Sequence, residues 1–132
     1  MARLKDHHNI NKFLEMEFIY RDNRPDQGCR FKIITNENGS NIVSDIGWTN
    51  VTLDKFIEML LKFPMDFYDG YFSHYDESFE WKWIHELDTN VFLITIFVSG
   101  RAISYNASID SIKDFGSQIL KDISNTPKFD SK

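Results

Sequence analysis

Apolar and polar residues alternate with a period of two along much of this chain, the pattern of strands with one buried face. Between Phe13 and Tyr20, the residues Leu14, Met16, Phe18 and Tyr20 alternate with Glu15 and Glu17. Turn formers fill Asp22–Gly28, and a second alternation follows in which Cys29, Phe31 and Ile33 oppose Arg30 and Lys32. After Asn38-Gly39, a pair that tolerates the positive φ of a tight hairpin turn, Ile42, Ser44, Ile46 and Trp48 form a third strand. The period then changes. Leu53, Phe56, Ile57, Leu60 and Leu61 fall at helical spacing behind Thr52, which reads as the N-cap, and Pro64 ends this helix near residue 62.

A second series of the same kind follows. Phe79, Trp81 and Trp83 share one strand face, opposite Glu80 and Lys82. The run Val91–Val98 alternates too little for a wet face, so it is expected to be an inner strand covered on both sides. Ser99-Gly100 turns the chain into a strand with Ile103, Tyr105 and Ala107. Ser108 or Asp110 caps a last helix near 110–123, with Ile112, Phe115, Ile119 and Ile123 inward and Gly116 a weak spot. The order is βββα twice. The helix entries Thr52-Leu53-Asp54 and Ser108-Ile109-Asp110 echo each other, as do the ends Leu60-Leu61-Lys62 and Ile119-Leu120-Lys121, but the two spacings differ by three residues. The echo fits either an ancient duplication or two helices packing on one sheet, which converge on such patterns anyway. The expectation is one α+β domain over residues 13–124, a mainly antiparallel sheet with two helices on one face, between flexible ends at 1–12 and 125–132.

Composition narrows the function classes. A length of 132 residues suits one domain. A pI near 5.3 argues against nonspecific nucleic-acid binding, which needs a basic face. A single cysteine, Cys29, excludes an intrachain disulfide and a cysteine-rich zinc site. The polar start Met1–Asn11 has no apolar core of a secretory signal, and the longest apolar run is too short to span a bilayer, so a cytoplasmic protein is expected.

Charge and aromaticity coincide. Of the chain's aromatic residues, Phe63, Phe67, Tyr68, Tyr71, Phe72, Tyr75, Phe79, Trp81 and Trp83 lie between positions 63 and 83. Asp66, Asp69, Asp76, Glu77 and Glu80 lie there too, against the single base Lys82. Rings give a protein interface its buried area, and carboxylates steer a basic partner to it. The candidate partner-binding residues are therefore Asp66, Tyr68, Asp69, Tyr71, Tyr75, Asp76, Glu77 and Glu80. If Trp81 and Trp83 pack inward, the exposed aromatic candidates reduce to Tyr68, Tyr71, Phe72 and Tyr75.

Catalytic chemistry has little to rest on. His7-His8 lacks a third metal ligand, and His74 and His85 stand beside acids without a nucleophile or a recognisable motif. The carboxylates could pair as in glycosidases, but the pattern leaves no room for a long cleft. Cys29, on an apolar face, reads as a buried inert thiol. No catalytic residue, metal or cofactor is expected.

The region from Phe13 to Ser124 resembles small bacterial immunity proteins of polymorphic toxin systems, and among them the cell-wall-associated toxin immunity type. The likeness is carried by Trp48, Leu53, Phe56 and Leu60 at the entry to the first helix, by the strand Phe79-Glu80-Trp81, by Val91–Val98, and by Tyr105 and Ala107 before a closing helix. The resemblance implies a noncatalytic protein that binds and blocks a toxin domain, and it carries over no binding residues. The leading expectation is an inhibitor of a basic partner such as a nuclease toxin. The alternatives are a small enzyme or ligand-binding domain with a pocket between the sheet and the Phe67–Tyr75 loop, and a structural subunit of a phage or secretion assembly.

Overall fold

In the computed structural model, which describes residues 1–9, 11–22, 24, 27–37, 39–73, 79–86 and 89–125, the alternating segments are strands and the helically spaced ones helices. They run β1 (Ala2–Lys5), β2 (Phe13–Arg21), β3 (Gly28–Glu37), β4 (Ser40–Thr49), α1 (Asn50–Leu61), β5 (Tyr71–Ser73), β6 (Phe79–His85), β7 (Val91–Val98), β8 (Arg101–Ser108) and α2 (Ile109–Asn125). A single 3-10 turn, Asp66–Tyr68, lies between α1 and β5. The class is α+β. Its strands form two antiparallel sheets, β1-β2-β3-β4 and β5-β6-β7-β8, where the sequence suggested one. The cause is local: β4 passes into α1 without a loop, which carries the chain off the sheet edge before β5 begins.

Three further expectations are corrected. Residues 1–12 are not a loose end, because β1 pairs with β2 from Ala2↔Met16 to Lys5↔Phe13 and buries Ala2 and Leu4 completely or nearly so. Two apolar residues in four positions gave too weak a period to mark it. β5 was also missed, being only three residues long. And β7, though an inner strand, is covered on one side only: Val91, Phe92, Ile94, Ile96 and Val98 are buried, while Leu93, Thr95 and Phe97 are partly exposed on the outer face. The tail 126–132 lies outside the described residues.

Both helices are capped by the last residue of the strand before them. Thr49, not Thr52, caps α1: its Oγ1 accepts from the Thr52 amide at 3.3 Å. Ser108 Oγ accepts from the Ser111 amide at 3.1 Å. With the caps aligned, Leu53, Phe56, Leu60, Leu61 and Lys62 match Ile112, Phe115, Ile119, Leu120 and Lys121 without an insertion, so the two halves each run ββββα. Asn50, at the start of α1, is a buried tie. Its Nδ2 donates to the carbonyls of Asp22 (2.6 Å) and Arg24 (2.9 Å), and its Oδ1 accepts from Arg21 Nε (3.1 Å).

The helices and the inner faces of both sheets enclose one core. The Phe56 ring packs against Trp48 of the first sheet (5.2 Å between centroids) and against Phe72, Phe79 and Trp81 of the second (5.4, 5.8 and 5.5 Å). Phe115 of α2 stacks on Trp81. Polar ties join the sheets at their margins: Tyr105 Oη donates to the Phe13 carbonyl (3.2 Å), the Asn106 amide to buried Asp6 (2.6 Å), and Ser99 Oγ to Ser44 Oγ (2.7 Å).

Gly116 lies in the contact between the helices, where a Cβ would come within 2.9 Å of Leu60 Cβ and 3.2 Å of Leu61 Cδ2. Alanine is the better helix former by roughly 1 kcal/mol, but overpacking costs about 1–3 kcal/mol. Gly116→Ala is expected to lower the midpoint of urea unfolding. An unchanged or raised midpoint would show that the interface yields to a methyl group.

Candidate functional site

The segment linking α1 to β5 turns outward because of its backbone. Pro64 follows the last helical turn, Asp66–Tyr68 makes one tight turn, and Asp69 takes the left-handed conformation at φ 50° before Gly70 at φ 79°. Gly70 O accepts from the Trp83 amide at 3.0 Å, which returns the chain to β6. The result is to throw Phe67 into solvent, where it is 86% exposed, flanked by the exposed carboxylates Asp66 and Asp69. Neither carboxylate makes an ion pair among the described residues.

Beside Phe67, the Tyr68 ring packs edge-on at 5.2 Å and continues to Phe72 at 5.4 Å. Burial, and after it the charge of Glu58, pushes the Tyr68 phenol above its ordinary pKa. Tyr71 lies on the outer face of β5 and donates its phenol proton to Glu80 on β6. Thr52, Lys55, Tyr68, Tyr71, Phe72 and Ser73 line an open groove of about 360 Å³ between α1 and β5.

Of the residues expected at the site, Asp66, Tyr68, Asp69, Tyr71 and Glu80 are near one another along β5, β6 and the turn before them. Tyr75, Asp76 and Glu77 fall outside the described residues, as does His74. Trp81 and Trp83 are core, 0% and 8% exposed, and Phe72 joins them at 4%. Phe67 is not among the expected exposed rings, yet it is the most exposed large apolar residue among the described residues. Ile84, 67% exposed on β6, was likewise not singled out. Thr52 and Lys55 had no signal in the chain, since only the packing of α1 beside β5 brings them to the groove.

Among the described residues, no three His, Cys, Asp or Glu side chains are placed to hold a metal ion. His85 faces the Thr89 carbonyl and stacks on Phe92. No helix among them is long and apolar enough to cross a membrane. Comparison with known protein families, with curated proteins and with solved structures finds no match.

Cys29 is 3% exposed on the inner face of β3. Desolvation outweighs the nearby Arg21 charge and pushes its thiol up to about 11. It should react slowly with a thiol reagent in the native protein and fast after unfolding. Stoichiometric labelling of folded protein within minutes would contradict this. The unfolded thiol ionises near its ordinary value of 9.0, so between there and about 11 the unfolded state has released a proton that the folded state keeps. Stability from this site is present below that range and falls as pH rises through it. In Cys29→Ala, that part of the alkaline loss should vanish from a series of denaturation midpoints.

Proposed function

We propose that this is a noncatalytic cytoplasmic protein that binds and blocks a basic protein partner, of the kind a bacterial nuclease toxin would present, and so acts as an immunity-type inhibitor. The observation that carries the reading is the exposed Phe67 ring between two exposed carboxylates, continuous with Tyr68 and Tyr71. A large apolar ring held out in water stabilises nothing in the free protein, but it is the kind of group that anchors an interface core. Asp66, Asp69 and Glu80 would stand where the nucleic acid's phosphates otherwise sit on a nuclease, giving steered association. Tyr75, Asp76 and Glu77 belong to the same proposed surface by sequence.

A toxin gene immediately upstream would supply the partner to test and support the reading, whereas an operon of metabolic genes there would count against it. Asp66→Lys with Asp69→Lys should slow association and flatten its dependence on salt, with circular dichroism unchanged, because such exposed charges contribute little to stability. Phe67→Ala or Tyr68→Ala should instead speed dissociation, at a cost of roughly 2 kcal/mol or more in affinity by calorimetry. A folded double-lysine protein that binds as tightly and as fast as the parent would remove the acidic surface from the function.

A further inference from the structure

The two ββββα halves carry corresponding grooves, and among the described residues only one has its edge peptide groups met by the protein's own side chains. β2 and β6 correspond, because Leu14↔Thr35 and Met16↔Ile33 in the first sheet match Phe79↔Val98 and Trp81↔Ile96 in the second. Glu15 and Glu80 therefore hold equivalent places, and so do their partners Arg3 on β1 and Ser73 on β5. Alignment of the helix caps makes Thr52, Lys55 and Met59 of α1 equivalent to Ser111, Asp114 and Gln118 of α2. Arg3, Ser111, Asp114 and Gln118, with Lys5, line a groove of about 400 Å³ between α2 and β1, the counterpart of the α1–β5 groove.

Peptide groups along an antiparallel edge strand point alternately toward their partner strand and away from it. In the first sheet the Asp6 amide bonds Lys12 O at 2.9 Å, which continues the β1–β2 register and turns the peptide groups of Arg3 away from β2. Gln118 meets them: the Arg3 amide donates to its Oε1 at 3.0 Å, and its Nε2 reaches the Arg3 carbonyl at 3.5 Å and Asp114 Oδ2 at 2.7 Å. Arg3 is also paired with Glu15 at 2.8 Å. There the outward peptide groups of Arg3 are met by the protein's own side chain.

The Trp83–Gly70 bond sets the same alternation in β5, so the amide and carbonyl of Ser73 turn away from β6 toward α1. Met59, which offers no N–H, stands where Gln118 does, and it is fully buried. Lys55 replaces Asp114 and has no ion pair among the described residues. Tyr68 and Tyr71 line the walls.

We propose that the α1–β5 groove takes an extended segment of a protein partner, which adds beside β5 at the sheet edge. Its backbone pairs with the outward peptide groups of Ser73, as strand addition does elsewhere. Its side chains lie against Tyr68 and Tyr71, and its basic groups reach Asp66, Asp69 and Glu80, whose charge complements them. The basic character of the segment rests on the function proposed above, whereas its extended form rests on Ser73 and the comparison with Arg3.

The test uses the full chain, labelled with ¹⁵N, and two synthetic peptides of about nine residues, one alternating lysine with threonine and one glutamate with threonine. In the free protein the Ser73 amide should exchange with solvent much faster than the Arg3 amide, and equal protection would overturn the proposal. The lysine peptide should shift the resonances of Ser73, Tyr68 and Tyr71. Ser73→Pro removes only an N–H that faces away from β6, a position where an edge strand accepts proline, and should weaken the peptide about ten-fold, the loss of one well-made bond. Lysine-peptide binding that moves Asp66 and Asp69 alone and ignores Ser73→Pro would sink the groove and leave the basic-partner reading standing. Preferential, Ser73-dependent binding of the glutamate peptide, through Lys55, would keep the groove and sink that reading. If neither peptide shifts Ser73, the proposal is wrong.

Discussion

The ring cluster around Trp48 and Phe56 joins the two sheets, for Trp48 itself also reaches Phe72 and Phe79 across them. Each sheet has one apolar face and cannot stand in water without covering it. Phe56, from the helix that joins the halves, touches Trp48 on one sheet and Phe72, Phe79 and Trp81 on the other, mostly edge to face. Such pairs contribute about 0.5–1.5 kcal/mol each beyond the area they bury, so this one side chain links more of the core than any polar tie at its margin. The hydrogen bonds of Tyr105, Asn106 and Ser99 then set how the sheets align, but they are too few and too peripheral to hold the sheets together.

That demand for rings also sorts the aromatic stretch. Phe63, Phe72, Phe79, Trp81 and Trp83 are taken into the core, which leaves Phe67, Tyr68 and Tyr71 at the surface among the described residues. Those left outside sit together because Asp69 and Gly70 reverse the chain directly after the 3-10 turn Asp66–Tyr68. The acidic residues follow the same division. Glu80 is drawn to the Tyr71 phenol on the strand, while Asp66 and Asp69 stay on the turn facing solvent. A surface of this composition is thus a by-product of backbone geometry as much as of residue choice.

The strands with five or more alternating residues were legible in the sequence, and so were both helices, because burial of one face imposes a period that composition cannot hide. β1 and β5 were not, since two or three residues do not make a period, and their pairing is decided by neighbours remote in the chain. The N-cap at Thr49 was confused with Thr52 because threonine stands at both places, and only the geometry of the β4–α1 junction separates them. The inward packing of Cys29, Phe31 and Ile33 was readable from alternation. The exposure of Phe67 was not, because phenylalanine in a loop looks the same in sequence whether it turns in or out. Nor could the division into two sheets be read, since it depends on where the chain goes after β4.

The two halves show what packing fixes and what it leaves open. Leu53 and Ile112, Phe56 and Phe115, Leu60 and Ile119 keep size and burial through the correspondence, since each fills the same interior position where a lost or added methylene is felt. Where one helix has isoleucine at position 57, the other has Gly116, because a Cβ at 116 would lie 2.9 Å from Leu60 Cβ. Around the grooves the correspondence keeps position and changes chemistry: Gln118 against Met59, Asp114 against Lys55, Arg3 against Ser73. Polar side chains close the groove between α2 and β1 on itself, since a bare edge peptide there would otherwise need another partner. The groove between α1 and β5 is lined from corresponding positions, and among the described residues no side chain meets the peptide groups of Ser73 in this way. A fold that satisfies this edge internally in one half, and does not do so among the described residues of the other, makes the second edge the place where the proposed strand would add.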